Sequence, residues 1–222
     1  MIIDGIFDKG VKAFFTDKRV GTDLRRVSEI ASIRKEMIYI PVQRHTDTVI
    51  FIDSHLEPRI ADAVITNSRD VMIGVHAADC VPILLYDRAR YVAGAVHAGW
   101  RGTAAEILKK TIQMMVDMFC SSPADILIAI GPCIRWCCYT VGYEVHSAIR
   151  EVTGEGDYYR ERGEVYCLDL SSVNRCQALA MGITERHIRI SGECTCCHPE
   201  RFYSYRYARG SSGRQGGFIR IM

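Results

Sequence analysis

The chain is predicted to be an α+β protein. Short runs rich in β-branched and aromatic residues dominate its first half, and helical periodicity begins only near Ala104. Hairpin-like strand pairs then give way to strand–helix–strand crossings, the pattern of mixed sheets layered with helices. With 222 residues, 48% of them hydrophobic, the chain is long enough for a full-sized core. No internal repeat, low-complexity tract or linker divides it, so residues 1–222 are read as one domain.

The elements follow in order. Strands are expected at Val11–Phe15, Met37–Val42, Thr48–Ile52, Ala63–Thr66, Val71–Val75, Ile83–Tyr86 and Tyr91–Val96, with an early helix over Asp23–Lys35. From Ala104, apolar residues recur at Ile107, Leu108, Ile112, Met115 and Met118, which predicts an amphipathic helix of about four turns. Tyr143–Val152 and Ser171–Met181 read as two more helices, the second stopped by Gly182. Asp125–Ile130, His187–Ile190, Phe202–Tyr207 and Phe218–Ile221 read as strands. Thr153–Asp157 and Gly210–Gly213 are polar, glycine-bearing loops.

Charge and composition exclude several classes of partner. The formal charge is +2, and Lys and Arg are spread out apart from the segment Arg201–Tyr207 with Arg209 and Arg214. Interleaved basic and aromatic residues suit nucleic acid in some proteins, but the near-neutral balance and the period-2 alternation here predict a strand and no nucleic-acid partner. The N-terminus carries Asp4, Asp8 and Lys9 and lacks an apolar leader core. The apolar stretch Val71–Tyr86 is broken by His76 and Asp79 and is shorter than the roughly 20 residues that span a bilayer. The expectation is a cytoplasmic protein without a membrane partner. Its ten cysteines are then free thiols or metal ligands. Cys120, Cys167 and Cys176 are read as small apolar core residues.

Chemistry concentrates at His97-Ala98-Gly99-Trp100-Arg101-Gly102, with Ala78-Asp79-Cys80 before it and Gln43-Arg44-His45 further upstream. Cys80 stands at the entrance of one strand and His97 at the exit of the next. If the two pair antiparallel, both ends share one rim of the sheet, and His45 follows an earlier strand within reach of it. Two imidazoles and a thiolate are a ligand set for zinc with one position open, the arrangement of catalytic rather than structural sites. Gly99 and Gly102 permit close backbone approach, Trp100 offers a flat apolar wall, and Arg101 a planar cation suited to phosphate. Asp79 has two readings, a partner orienting a ligand histidine or a turn residue. His76 is left outside the site, because an extended segment would hold it about 13 Å from Cys80.

These motifs resemble the YfiH family, also labelled the laccase-domain or polyphenol oxidase family. The resemblance is carried by Gln43 and His45, Ala61-Asp62-Ala63, Ala78 to Leu85, His97 to Gly102, Gly131 to Ile134, Cys138 to Gly142, Cys194-Thr195 with Cys197, and Phe202, Ser204, Tyr205 and Arg206. Thr46 stands where the family pattern has glycine. The resemblance implies zinc held by His45, Cys80 and His97 and a single domain of layered mixed sheets. It implies purine nucleosides and phosphate as substrates: phosphorolysis of adenosine, inosine, guanosine and methylthioadenosine, together with adenosine deamination. Arg101 and Arg206 are then the anion-binding residues, and Trp100, Tyr203 or Tyr205 stacks on the base.

Other readings stand beside this one. The family label implies copper-dependent phenol oxidation, and a further family-level proposal is editing of cell-wall precursors. Seven histidines with no H-x-H pair are few for several coppers, although this donor trio would capture copper in vitro. A thiol hydrolase would use Cys80 as nucleophile, His97 as base and Asp79 to orient the imidazole. Cys133, Cys137, Cys138, Cys194 and Cys197 contain the spacing of a closed four-cysteine zinc site. The reading preferred from sequence is reduced thiols that neighbour one another in the core. The sequence leaves oligomeric state open.

Overall fold

The computed structural model describes residue 7, residues 10–210 and residues 212–222. Asp4, Asp8, Lys9 and Ser211 lie outside the described residues. The elements are β1 (Val11–Phe15), α1 (Leu24–Ala31), β2 (Ile38–Tyr39), β3 (Val49–Phe51), β4 (Ala63–Thr66), β5 (Met72–Ala77), β6 (Val81–Asp87), β7 (Val92–Ala98), α2 (Trp100–Ala104), α3 (Ile107–Phe119), β8 (Ile126–Ile130), β9 (Thr140–Val141), α4 (Tyr143–Thr153), β10 (Tyr159–Arg162), β11 (Val165–Leu168), α5 (Leu170–Ala180), β12 (Ile188–Ile190) and β13 (Gln215–Ile221).

Two sheets stack at the centre. One has the order β1-β13-β5-β2, the other β12-β8-β6-β7-β4-β3. Both mix parallel and antiparallel pairs, β2 with β5 and β12 with β8 being parallel. Because side chains alternate across a strand, β6 sends Leu84 and Tyr86 toward the first sheet, where they pack with Phe15, Ile73, Val75 and Ile219. Its Ile83 and Leu85 face the other way, into a layer with Ile107, Leu108, Ile112 and Met115 of α3 and Val173 of α5. The outer face of the first sheet is closed by α1 through Val27 and Ala31 on Phe14, Met72 and Phe218. The order helix, sheet, sheet, helices is the expected α+β architecture.

Several expectations need correction. The helix read from Ala104 is α3, starting at Ile107, and an unexpected short helix, α2, precedes it, the two divided at Glu106, which takes a left-handed φ of 59°. Trp100-Arg101-Gly102 is thus the first turn of α2 rather than a loop. The early helix stops at Ala31, capped by a left-handed Ser32, and the strand after Met37 is shortened by Pro41, which donates no ladder hydrogen bond. Phe202–Tyr207 is a run of turns. Its amide groups are satisfied away from any strand, Tyr203 N–H donating to Gln215 Oε1 and Arg206 N–H to Asp79 Oδ2. The small sheet β10-β11-β9 escapes a hydrophobicity reading because β10 is Tyr-Arg-Glu-Arg and mostly exposed. Its signal is Gly163, at φ 60° in a tight hairpin turn. Cys167 is buried as expected, whereas Cys120 is exposed at the end of α3. Among the described residues no helix is long and apolar enough to cross a membrane.

Candidate metal centre and substrate cavity

The site forms where β6 begins and β7 ends. The two strands pair antiparallel with Pro82 opposite His97 and Val81 opposite Ala98. Cys80, one residue before β6, therefore meets the end of β7. His45 comes in from the loop after β2. Cys80 Sγ lies 3.9 Å from His45 Nε2, and the rings of His45 and His97 meet edge to face at 5.0 Å. One donor atom from each of the three residues lies within 4.8 Å of the others. A tetrahedral zinc sets its sulfur and nitrogen ligands about 3.6 Å apart, so side-chain movements of about an ångström bring this trio onto one ion. The donor set fits zinc, with no fourth protein ligand in the group.

Asp62 organises the trio. It is fully buried just before β4, and its carboxylate accepts hydrogen bonds from the amides of Arg44 (3.1 Å), His45 (3.1 Å) and Thr46 (2.7 Å) and from the Thr46 hydroxyl (2.8 Å). Three successive amides converge on one anion because His45 takes a left-handed φ of 58°. That conformation is costly for a non-glycine residue, and the charge-assisted bonds offset the cost. The same carboxylate lies 2.8 Å from His97 Nδ1. With its proton on Nδ1, the imidazole presents the Nε2 lone pair to the ligand cluster. Burial opposes the charge on Asp62, but the hydrogen bonds from His97 and the 44–46 loop hold its carboxyl well below the usual range.

Asp79 acts elsewhere. It sits at φ 83° in the bend between β5 and β6, where Oδ1 accepts from the Thr195 hydroxyl at 2.6 Å and Oδ2 from the Arg206 amide at 2.7 Å. Of its two readings the turn is the one observed, and the orienting carboxylate is Asp62. Burial alone would raise the Cys80 thiol, yet hydrogen bonds and charge from His45 and His97 bring it down to about 6. Burial alone would lower His97, yet Asp62 and Cys80 bring it up to about 9. The metal-free cluster thus favours a thiolate facing an imidazolium.

A cavity of about 660 Å³ opens beside the cluster. Trp100, Arg101, Tyr205 and Arg206 line it as anticipated, while Tyr203 is absent from its lining. The Arg101 guanidinium stacks on the Trp100 ring at 4.5 Å, and among the described residues no carbonyl accepts from it as two do from Arg206. Arg206 donates to the carbonyls of Cys138 and Thr140 at 3.0 and 3.2 Å. His76, left out on sequence grounds, also lines the cavity, because the bend at 78–80 carries the chain from one sheet to the other instead of running on extended. Gln43 holds its backbone on both sides, at 2.8 and 2.7 Å. His76 Nε2 is buried without a hydrogen-bond partner among the described residues, and burial, followed by the charges of Arg214 and His97, lowers the ring to about 4. Tyr139 and Arg214 complete the wall. The signal for Asp62 was present in the sequence as a lone acid inside the apolar run Ala61-Asp62-Ala63. His76 carried no such signal, Tyr139 stood only within the family-like stretch Cys138 to Gly142, and Arg214 only beside the basic aromatic segment.

Comparison with known proteins agrees with this architecture. Residues 10–222 match the family described as multi-copper polyphenol oxidoreductase laccase. A purine nucleoside phosphorylase of Clostridium acetobutylicum is 39% identical over 80% of this chain and 74% of its own. Another from Aquifex aeolicus is 38% identical over 90% of each. The purine nucleoside phosphorylase YlmD of Bacillus subtilis is 35% identical over 74% of this chain, and the match covers 60% of its length. The crystal structure of YlmD from Geobacillus stearothermophilus superposes with a TM-score of 0.92 at 29% identity, covering 96% of this chain and 92% of that one. The chain therefore belongs to the laccase-like YfiH/YlmD family, a family of enzymes whose curated members include proteins named purine nucleoside phosphorylase.

Proposed function

We propose that this protein is a zinc-dependent purine nucleoside phosphorylase that also deaminates adenosine, with His45, Cys80 and His97 as the metal ligands. The observation that carries the proposal is a three-donor site, held by a buried carboxylate, that borders a cavity of about 660 Å³ containing Arg101. The names of the relatives supply the substrate class, a purine nucleoside and phosphate. Bound zinc would supply Lewis acidity and an activated water or anion at the open position.

The chain's own groups do the rest. Asp62 keeps the His97 proton on Nδ1. Arg101 receives the phosphate with a planar pair of donors, and Trp100 behind it excludes water and presents a face to the base. His76, neutral near pH 7, adds an uncharged ring to the cavity wall. In phosphorolysis an oxygen of hydrogen phosphate forms the new bond to C1′ as the bond from C1′ to the purine nitrogen breaks, and the proton given up by the phosphate leaves with the base. Reduced cysteines are in keeping with a cytoplasmic setting.

The family description raises copper-dependent phenol oxidation as an alternative. The donor groups among the described residues are one two-histidine, one-thiol set and one all-thiol set. Neither resembles the histidine-rich surroundings that several coppers require, so the phosphorylase reading is preferred. The deciding experiment incubates zinc-loaded protein with adenosine, with and without phosphate. Phosphate-dependent adenine and ribose 1-phosphate, with inosine formed in both arms, is expected. Neither product from the zinc form, with phenol oxidation by a copper form, would overturn the proposal.

A further inference from the structure

A second donor cluster lies apart from the catalytic trio. One sulfur each from Cys137, Cys138, Cys194 and Cys197 falls within 4.8 Å of all the others. Cys197 Sγ is 3.5 Å from that of Cys137 and 3.3 Å from that of Cys138. The edge of a tetrahedral zinc–thiolate site is about 3.8 Å, so the sulfurs already stand near the spacing that one ion imposes. Cys194 Sγ also accepts the Arg135 amide at 3.4 Å.

This placement departs from the sequence expectation of core thiols. Cys137 and Cys197 are exposed, and Cys138 is only partly covered. Cys133, the fifth candidate, does belong to the hydrophobic core and is not part of the group. Cys194 is buried, but the other three thiols gathered on it gain little from burial, which leaves the convergence itself to be explained.

The two loops that meet here also build the catalytic rim. Cys133 and Cys194 form a backbone bridge. Thr195, next to Cys194, holds Asp79, and Arg206 donates to the carbonyls of Cys138 and Thr140. Few regular elements secure the segment from Ser191 to Arg214, which is turns and extended chain in the described residues.

We propose that Cys137, Cys138, Cys194 and Cys197 bind a structural zinc ion, a closed tetrathiolate that clamps the Ser191–Arg214 segment onto the loop after β8 and so fixes the wall of the catalytic cavity. Four protein sulfurs leave no position for substrate, so this site folds the rim and performs no chemistry. Each thiol gives up its proton as the ion binds.

The test is elemental analysis of full-length protein purified under reducing conditions without added metal. Wild type is expected to hold about two zinc ions per chain, and Cys80→Ala and Cys197→Ser about one each. A second single variant, Cys137→Ser, changes another exposed position and is expected to match Cys197→Ser. Cobalt substitution of Cys80→Ala should give the intense sulfur-to-cobalt charge-transfer bands of a tetrathiolate, and Cys197→Ser should lose them. Loss of this ion should lower the melting temperature and speed amide exchange in the Ser191–Arg214 segment. One zinc in wild type with none in Cys80→Ala would overturn the proposal. So would stoichiometric iron in the cluster, or a Cys197 disulfide seen as a loss of two hydrogens by mass in protein that lacks a second ion.

Discussion

Substituting Asp62 tests the mechanism that holds the trio in place. Asp62→Asn keeps the size of the side chain and replaces one acceptor oxygen with a donor. In the native site Oδ2 accepts from Arg44 N–H, Thr46 N–H and the Thr46 hydroxyl, while Oδ1 accepts from His45 N–H and lies against His97 Nδ1. Whichever oxygen becomes the amide nitrogen, two N–H groups of the site then face a donor. Each buried group left without a partner costs about 1–3 kcal/mol, so the total is about 2–6 kcal/mol. For a chain of this length that lowers the melting temperature by at least about 4 °C. If the amide replaces Oδ1, His97 relieves the clash by moving its proton to Nε2, which removes the lone pair meant for the metal. Loss of such a supporting carboxylate typically weakens metal binding about 10–100-fold. Zinc affinity measured by competition with a chromophoric chelator, beside thermal unfolding of the metal-free protein, separates the two effects. Wild-type melting and wild-type affinity together in Asp62→Asn would refute the role given to this carboxylate.

Further predictions concern the cluster and its cavity. In metal-free protein Cys80 should alkylate with a rate that rises through a midpoint near pH 6 rather than the usual thiol range, since its thiolate persists above about 6, and zinc should protect it. A rate that climbs only above pH 8 would contradict the thiolate–imidazolium pair. His97, raised to about 9, on its own would contribute stability that is complete below about pH 6.5 and lost as pH rises through about 9, but Cys80, lowered to about 6, contributes the opposite dependence over the same window. Folded and unfolded pair then hold one proton each, so the urea midpoint of the metal-free protein should stay nearly flat from about pH 6.5 to 9, and a steep slope there would contradict the pair. The Gly99→Ala methyl would sit 3.0 Å from Cys80 Sγ and 3.2 Å from His45 Cδ2. The backbone there accepts alanine, with φ −74°, so the loss should fall on zinc affinity, by roughly 5-fold to 150-fold for about 1–3 kcal/mol of crowding. Arg101→Ala should raise the KM for phosphate by roughly 10–150-fold, the worth of a charged hydrogen bond, with a much smaller change in the KM for nucleoside, read from initial rates at varied phosphate.

The sequence by itself determined the α+β class, most of the strands and helices, and the three residues that converge as donors. These depend on local pattern and on one inference about strand ends: an antiparallel β6–β7 pair must bring Cys80 and His97 to the same rim, whatever surrounds them. Only the tertiary structure decided which carboxylate serves them. Asp62 and Asp79 are both short acids beside strands, and what separates them is which donors the folded chain turns toward each. The bend after β5 placed His76 in the cavity, because the chain there changes sheets, a step that strand periodicity does not encode. The same holds for Phe202–Tyr207, which alternates like a strand but among the described residues has no partner to complete a ladder. The four clustered cysteines are likewise 60 residues apart at their widest, Cys137 to Cys197, and a convergence between two irregular loops is fixed by the packing beneath them, not by spacing along the chain.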